Sequence, residues 1–117
     1  MIKIFVGHHL LLHWHMHPYS MFLAIFVTIE ICQIIYKSAM AMAGTDASDC
    51  IAVGDSFHHD IKGANAAGIE SVFITGGIHA TELGLHSFGE VADSSSVQSL
   101  ASKYEAYPSY VLPAFNW

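Results

Sequence analysis

The chain has 117 residues, enough for one small domain, and its charged residues make up 12% of the sequence, about half of the usual share. Its net charge of −6, with four scattered lysines and no arginine, argues against a nucleic-acid partner. Two cysteines without a CxxC spacing predict free thiols, so the cytoplasm or an organellar stroma is the default expectation for its location.

The first 33 residues form an atypical apolar segment that is rich in histidine. Only Lys3 and Glu30 are charged within it, and neither a helical nor a strand period runs through it. As a helix, residues 19–36 would be about 27 Å long, close to the thickness of the hydrocarbon core of a membrane. Glu30 would then lie inside the span at a cost of about 2.5 to 3.5 kcal/mol. Membrane association through residues 19–36 is therefore an alternative that the sequence leaves open.

Histidines in this segment fall at two regular spacings. His9, His13 and His17 would share one face of a helix, whereas His13, His15 and His17 would share one face of a strand. Either set could bind zinc. Because no acid or cysteine lies among them, we expect no physiological zinc site here.

From residue 34 onward the composition is that of an ordinary α/β domain, so we divide the chain into residues 1–33 and 34–117. Helices are predicted at residues 35–43, 60–67, 81–85 and 95–104, and short strands at residues 50–53, 71–75 and 110–112. The first two strands are joined by a single helix. Such a βαβ unit places its strands parallel through a right-handed crossover. The predicted fold class is therefore α/β with a parallel sheet.

Two aspartates follow the first of these strands. Gly54-Asp55 ends the strand and places the Asp55 carboxylate at the carboxyl end of a parallel sheet, where open α/β folds bind ligands. If a tight turn brings Asp60 beside it, the pair would offer the hard oxygen ligands that Mg²⁺ prefers. The alternative is a capped loop in which Asp60 stabilises the start of the next helix. His58 and His59, which lie between the two, are expected to face solvent rather than a substrate.

The stretch IAVGDSFHHDIKGANAAGIESVFITGGIH, residues 51–79, resembles the fourth motif of the haloacid-dehalogenase-like (HAD) hydrolases, a family of magnesium-dependent phosphatases. Within that family it is similar to a subgroup that resembles nucleotide and sugar-phosphate phosphatases. The resemblance extends over residues 34–117 and implies the C-terminal part of a Rossmann-like core domain. It also implies that Asp55 ligates Mg²⁺, that Asp60 is the supporting second acid, and that the substrate is a small phosphorylated molecule.

Other motifs of the family have no counterpart in this sequence. There is no DxD, so the nucleophile is absent, and neither the phosphate-binding Ser or Thr nor the lysine can be placed. Ile35-Tyr36 matches the end of the third motif, but the upstream residues 30–33 read EICQ. We therefore expect an inactive fragment with weak or vestigial Mg²⁺ binding, typical of a truncated or misjoined gene model. The alternatives are a membrane-anchored protein and an interaction module whose sheet edges pair with another chain.

Overall fold

A computed structural model describes the backbone of residues 2–6, 10–14 and 24–116, and the side chains of residues 33–116. The zinc interpretations of His9, His13, His15 and His17 lie outside the described side chains. The first part of the 19–36 segment lies outside the described backbone. Within the residues that the structure does describe, no helix is both long enough and apolar enough to cross a membrane.

Five strands of the described residues form one sheet in the order β2-β1-β3-β4-β5. Their bounds are Ile2–Val6 (β1), Leu10–Trp14 (β2), Cys50–Gly54 (β3), Glu70–Ile74 (β4) and Tyr110–Leu112 (β5). The strands β3, β4 and β5 run parallel, whereas β1 pairs antiparallel with both β2 and β3. The parallel α/β fold that the sequence predicts is confirmed. The two N-terminal strands were not predicted from the pattern of their segment.

Three α-helices lie in the described residues, at Ala24–Ala43 (α1), Lys62–Ala67 (α2) and Ser94–Tyr104 (α3). The α1 helix ends at Ala43, directly before Gly44, as the sequence predicts. It also runs across the boundary expected between residues 33 and 34, so that division of the chain stays a prediction. The side chain of Asp93 caps α3 by accepting hydrogen bonds from the backbone N–H groups of Ser95 and Ser96.

The prediction of a helix at residues 81–85 is wrong. Residues 78–84 instead form consecutive turns, closed by hydrogen bonds from Leu83 N–H to the His79 carbonyl and from Leu85 N–H to the Ala80 carbonyl. Gly84 adopts a left-handed conformation (φ 71°), so a right-handed helix cannot continue through it to Leu85.

The connection between β3 and α2 contains regular structure, although no helix or strand is predicted between residues 53 and 60. A turn of π-helix spans Phe57–Ile61 and leads directly into α2. The backbone N–H of Ile61 donates to the Ser56 carbonyl at 3.1 Å, which is the five-residue spacing of a π-helix. This wider turn buries Phe57, Asp60 and Ile61 together.

Two buried apolar clusters hold the helices against the sheet. One joins α1, β3 and α2 through residues that include Tyr36, Ala52 and Ala64. The other joins the π-helical turn, β4 and α3 through residues that include Phe57 and Phe73. Both clusters meet the segment that follows β3, so this segment is anchored from two sides.

Candidate functional site

A cavity of about 200 Å³ opens where β3, β4 and β5 end. The strands are parallel, so their carboxyl ends share one edge of the sheet, the place where open α/β folds bind ligands. Most of the cavity wall is apolar and includes Ile74, Phe88, Pro113 and Phe115. Among the described residues that line it, Asp55 is the only charged one. A ligand entering the cavity would therefore meet a single carboxylate on an apolar wall.

The Asp55 carboxylate is held by the loop that follows β4. Its Oδ2 atom accepts a hydrogen bond from the backbone N–H of Ile78 at 3.1 Å. The neighbouring Gly77 lies so close that a Cβ atom there would overlap the Asp55 side chain. Glycine at position 77 therefore lets the loop close around Asp55 and fix the direction of its carboxylate.

Asp60 lies beneath this loop rather than in the cavity. Its side chain is only 2% exposed, and its Oδ2 accepts hydrogen bonds from the backbone N–H groups of Asp55 (2.9 Å) and Ser56 (3.0 Å). A Cβ atom on Gly54 would overlap the Asp60 carboxylate, so the close approach requires glycine there as well. The Asp60 carbonyl in turn accepts a hydrogen bond from the Tyr36 hydroxyl at 3.2 Å.

Burial raises the pKa of the Asp60 carboxyl from its ordinary 3.8 to about 6. The hydrogen bonds from the backbone of Ser56 and Asp55 oppose this rise, and the negative charge of Asp55 adds to it. Asp60 is thus a buried acid that organises the backbone of the loop.

The structure brings the two predicted metal ligands together but gives them different surroundings. Asp55 lines the cavity, whereas Asp60 is directed at the backbone that carries Asp55. Among the residues with described side chains, no group of three or more His, Cys, Asp or Glu could hold a metal ion. Mg²⁺ in phosphoryl-transfer sites is usually held by one or two carboxylates together with water and phosphate oxygens. Asp55 fits one of these carboxylates, and its role as a metal ligand stays a prediction.

His58 and His59 lie on the π-helical turn and do not line the cavity. The exposed His58 ring stacks on Tyr104, with 5.6 Å between ring centroids. Desolvation, together with the neighbouring His59 and His79 rings, lowers the pKa of His58 to about 4. Desolvation also lowers the pKa of His59.

Sequence reasoning assigned no role to His79, which is buried with 3% of its surface exposed. Its Nε2 atom accepts a hydrogen bond from the backbone N–H of Phe57 at 3.3 Å, and its Nδ1 lies 2.8 Å from Glu82 Oε1. The available signal was its position, because His79 follows the end of β4 and so lies at the same sheet edge as Asp55.

Comparisons with known proteins show what this chain is similar to. The family model described as HAD-hydrolase-like matches residues 33–114, well over half of the chain. A solved structure of p-nitrophenyl phosphatase from Archaeoglobus fulgidus is similar, with 22% sequence identity and a TM-score of 0.49. The match covers 70% of this chain and 26% of the phosphatase chain. No curated protein sequence matches this chain.

Proposed function

Because the chain belongs to the family of HAD-like hydrolases, we propose that the cavity at the end of β3 is part of a phosphatase-type site in which Asp55 ligates Mg²⁺. One observation carries this proposal: the Asp55 carboxylate is the only charged group among the described residues that line a cavity where three parallel strands end. The substrate class that fits such a site is a small phosphorylated molecule, because Mg²⁺ commonly bridges a carboxylate and phosphate oxygens.

In the proposed site Asp55 is the metal ligand, and Ile78 and Asp60 hold it in position. Bound Mg²⁺ would neutralise negative charge on a phosphoryl group. Asp55 presents the carboxylate, and the N–H of Ile78 fixes its direction by binding Oδ2. Asp60 supports the site indirectly, because its carboxylate binds the backbone N–H of Asp55.

We also propose that this 117-residue chain is inactive by itself. The sequence supplies no DxD nucleophile, and no phosphate-binding Ser or Thr and no lysine of the family can be placed in it. Phosphoryl transfer through an enzyme-bound intermediate requires the nucleophile, and a metal held by Asp55 cannot replace it. For the same reason we expect Mg²⁺ to bind weakly, since the nucleophile's carboxylate would be a further ligand.

Titration of the ¹⁵N-labelled full chain with MgCl₂, followed by NMR, would test where the metal binds. We expect saturable shifts of the amides of residues 55, 56 and 78, and we expect Asp55→Asn to remove them. The matched control is Asp49→Asn, which removes the same charge from an exposed residue just before the amino end of β3. Equal responses in the Asp55→Asn and parent chains would contradict the proposal.

A second candidate function is pairing with another chain through β5. This strand lies at the edge of the sheet, and its residues Tyr110, Val111 and Leu112 are all exposed and uncharged. Such an edge presents unpaired backbone groups to a partner strand. Sedimentation velocity of the parent chain and of Val111→Lys would test this candidate. Self-association of the parent chain that Val111→Lys abolishes would support it, and identical monomeric behaviour of both would contradict it.

A further inference from the structure

We propose that His79 is a positioning residue for the candidate site: together with Glu82 it locks the loop after β3 to the loop after β4 and so sets the direction of the Asp55 carboxylate. The inference deepens the proposed function and rests on it wherever metal binding is concerned. Its structural part concerns the His79 ring, the carboxylates of Glu82 and Asp55, and the backbone N–H groups of Phe57 and Ile78.

Hydrogen bonding at the His79 ring defines one tautomer. A backbone N–H can only donate, so the contact between Phe57 N–H and Nε2 at 3.3 Å requires Nε2 to be the acceptor. The hydrogen of the ring must then lie on Nδ1, which donates to Glu82 Oε1 at 2.8 Å. Glu82 thereby selects the tautomer that can receive the Phe57 N–H.

The two loops are joined by two hydrogen bonds that run in opposite directions. Phe57, two residues after Asp55, donates from its backbone to the His79 side chain. Ile78, which directly precedes His79, donates from its backbone to the Asp55 side chain. Because Ile78 and His79 are adjacent, displacement of the His79 ring would move the N–H group that orients Asp55.

A third element, α3, holds the Glu82 end of this chain of contacts. Lys103 Nζ lies 3.0 Å from Glu82 Oε2, and the Tyr104 hydroxyl donates to Glu82 Oε1 at 3.4 Å. The His79 ring also packs against the aromatic rings of Phe57 and Tyr104, with centroid distances of 5.5 and 5.1 Å. An exposed ion pair such as Lys103–Glu82 contributes little stability. In the proposed arrangement, Lys103 and the Tyr104 hydroxyl hold the Glu82 carboxylate in one orientation.

A purely structural role predicts something different from a positioning role. If His79 only fills space, any substitution of similar size should lower stability without changing Asp55 selectively. If His79 positions Asp55, a substitution at His79 should shift the Ile78 amide resonance. The size of that shift should depend on whether the new side chain keeps the hydrogen bond to Phe57, and not on its volume.

Two substitutions in the ¹⁵N-labelled full chain separate these roles. In His79→Gln an amide oxygen can take the place of the Nε2 acceptor, whereas in His79→Asn an amide N–H can take the place of the Nδ1 donor. We expect hydrogen exchange at the Phe57 amide to be about tenfold faster in His79→Asn, as for the loss of one ordinary hydrogen bond. We also expect the Ile78 amide resonance to move in that variant. His79→Gln should stay within about twofold of the parent, and identical behaviour of the two variants would overturn the proposal.

Substitutions of the half-exposed Glu82 keep the test decisive if either His79 variant folds poorly. Imidazole ¹⁵N spectra of the parent should show a protonated Nδ1 and an unprotonated Nε2 on His79. Glu82→Ala should mix the tautomers and speed exchange at the Phe57 amide. Glu82→Gln, whose side-chain oxygen can accept the same Nδ1–H, should restore the parent pattern. An unchanged tautomer and unchanged Phe57 and Ile78 amides in Glu82→Ala would overturn the proposal.

Failure of the proposed function gives a different result from failure of this inference. MgCl₂ is added to the same samples, with the metal alone as the probe. A parent chain that shows no response to Mg²⁺ would overturn the proposed function, while the Phe57 and Ile78 amides still decide the role of His79. If the parent does bind Mg²⁺, His79→Asn should weaken binding severalfold more than His79→Gln. Equal affinities in the two variants would overturn the link to Asp55.

Discussion

Replacing Asp60 with alanine should destabilise the fold strongly, although no charged partner is lost. The substitution leaves the backbone N–H groups of Asp55 and Ser56 without their acceptor in a buried loop. Each buried donor left unsatisfied costs about 1 to 3 kcal/mol, so the expected loss is roughly 2 to 6 kcal/mol. A small domain is typically stable by about 5 to 15 kcal/mol, so this loss would be a large share of the total.

Urea unfolding of the full chain at pH 5, followed by circular dichroism, would measure this loss. At that pH the Asp60 carboxyl is largely protonated, because burial raises its pKa to about 6, so removal of a buried charge does not obscure the result. Asp60→Asn is the matched control, since its amide oxygen can accept both N–H groups. A loss below about 0.5 kcal/mol in Asp60→Ala, or an equal loss in both variants, would refute the reasoning.

The raised pKa of Asp60 also predicts how the difference in stability between Asp60→Asn and the parent chain changes with pH. The folded chain keeps the Asp60 proton to higher pH than the unfolded chain does. The resulting stabilisation is fully present below about pH 4 and is lost as the pH rises to about 6. A change from 3.8 to about 6 corresponds to roughly 3 kcal/mol. Asp60→Asn, which cannot ionise, should therefore gain stability relative to the parent between pH 4 and pH 7, and a constant difference would contradict the raised pKa.

Three further predictions follow from packing, close approach and chemistry. Phe57→Ala should cost about 3 to 5 kcal/mol in urea unfolding, because the buried ring packs against Phe73 with 4.0 Å between centroids; a loss below 1 kcal/mol would contradict this. Gly77→Ala should displace the Asp55 side chain and abolish the amide shifts that Mg²⁺ induces, and an unchanged titration would contradict the close approach. The purified chain should hydrolyse generic phosphomonoesters no faster than background with Mg²⁺, and turnover that Asp55→Asn abolishes would contradict the missing nucleophile.

Much of the α/β fold could be predicted because its elements are short and clearly bounded. The apolar runs at residues 50–53 and 71–75 are separated by a helix of small residues, and this pattern has one common solution, a parallel βαβ unit. The helix end before Gly44 and the edge strand at residues 110–112 between two prolines were equally local signals. All of these predictions are confirmed.

The rest depended on contacts between residues that are distant in sequence. The π-helical turn at Phe57–Ile61 is fixed by burial of its side chains against β4 and α3, which no local pattern reveals. His79 and Phe57 are 22 residues apart in the sequence. Their contact depends on how the loops after β3 and β4 lie against each other, which no local pattern reveals.

The position of the candidate site could be predicted from the sequence, but the direction of the Asp60 side chain could not. A strand that ends in Gly54-Asp55 puts a carboxylate at the ligand-binding edge of the sheet, and Asp55 does line the cavity there. The same spacing could not show that Asp60 would face the backbone, because a five-residue separation allows both a shared crevice and a capped loop. The difference was decided by the absence of a Cβ atom at Gly54, which lets Asp60 fold back beneath the strand end.

Calorimetric titration of the full chain with MgCl₂ tests most directly whether Asp55 ligates the metal, as we propose. We expect little heat at micromolar Mg²⁺ and a millimolar signal that Asp55→Asn reduces strongly. Asp60→Asn should reduce it less, because Asp60 is buried beneath the loop. Asp49→Asn, the control at an exposed residue, should leave it unchanged. Micromolar affinity in the parent, or a larger effect of Asp60→Asn than of Asp55→Asn, would contradict the claim.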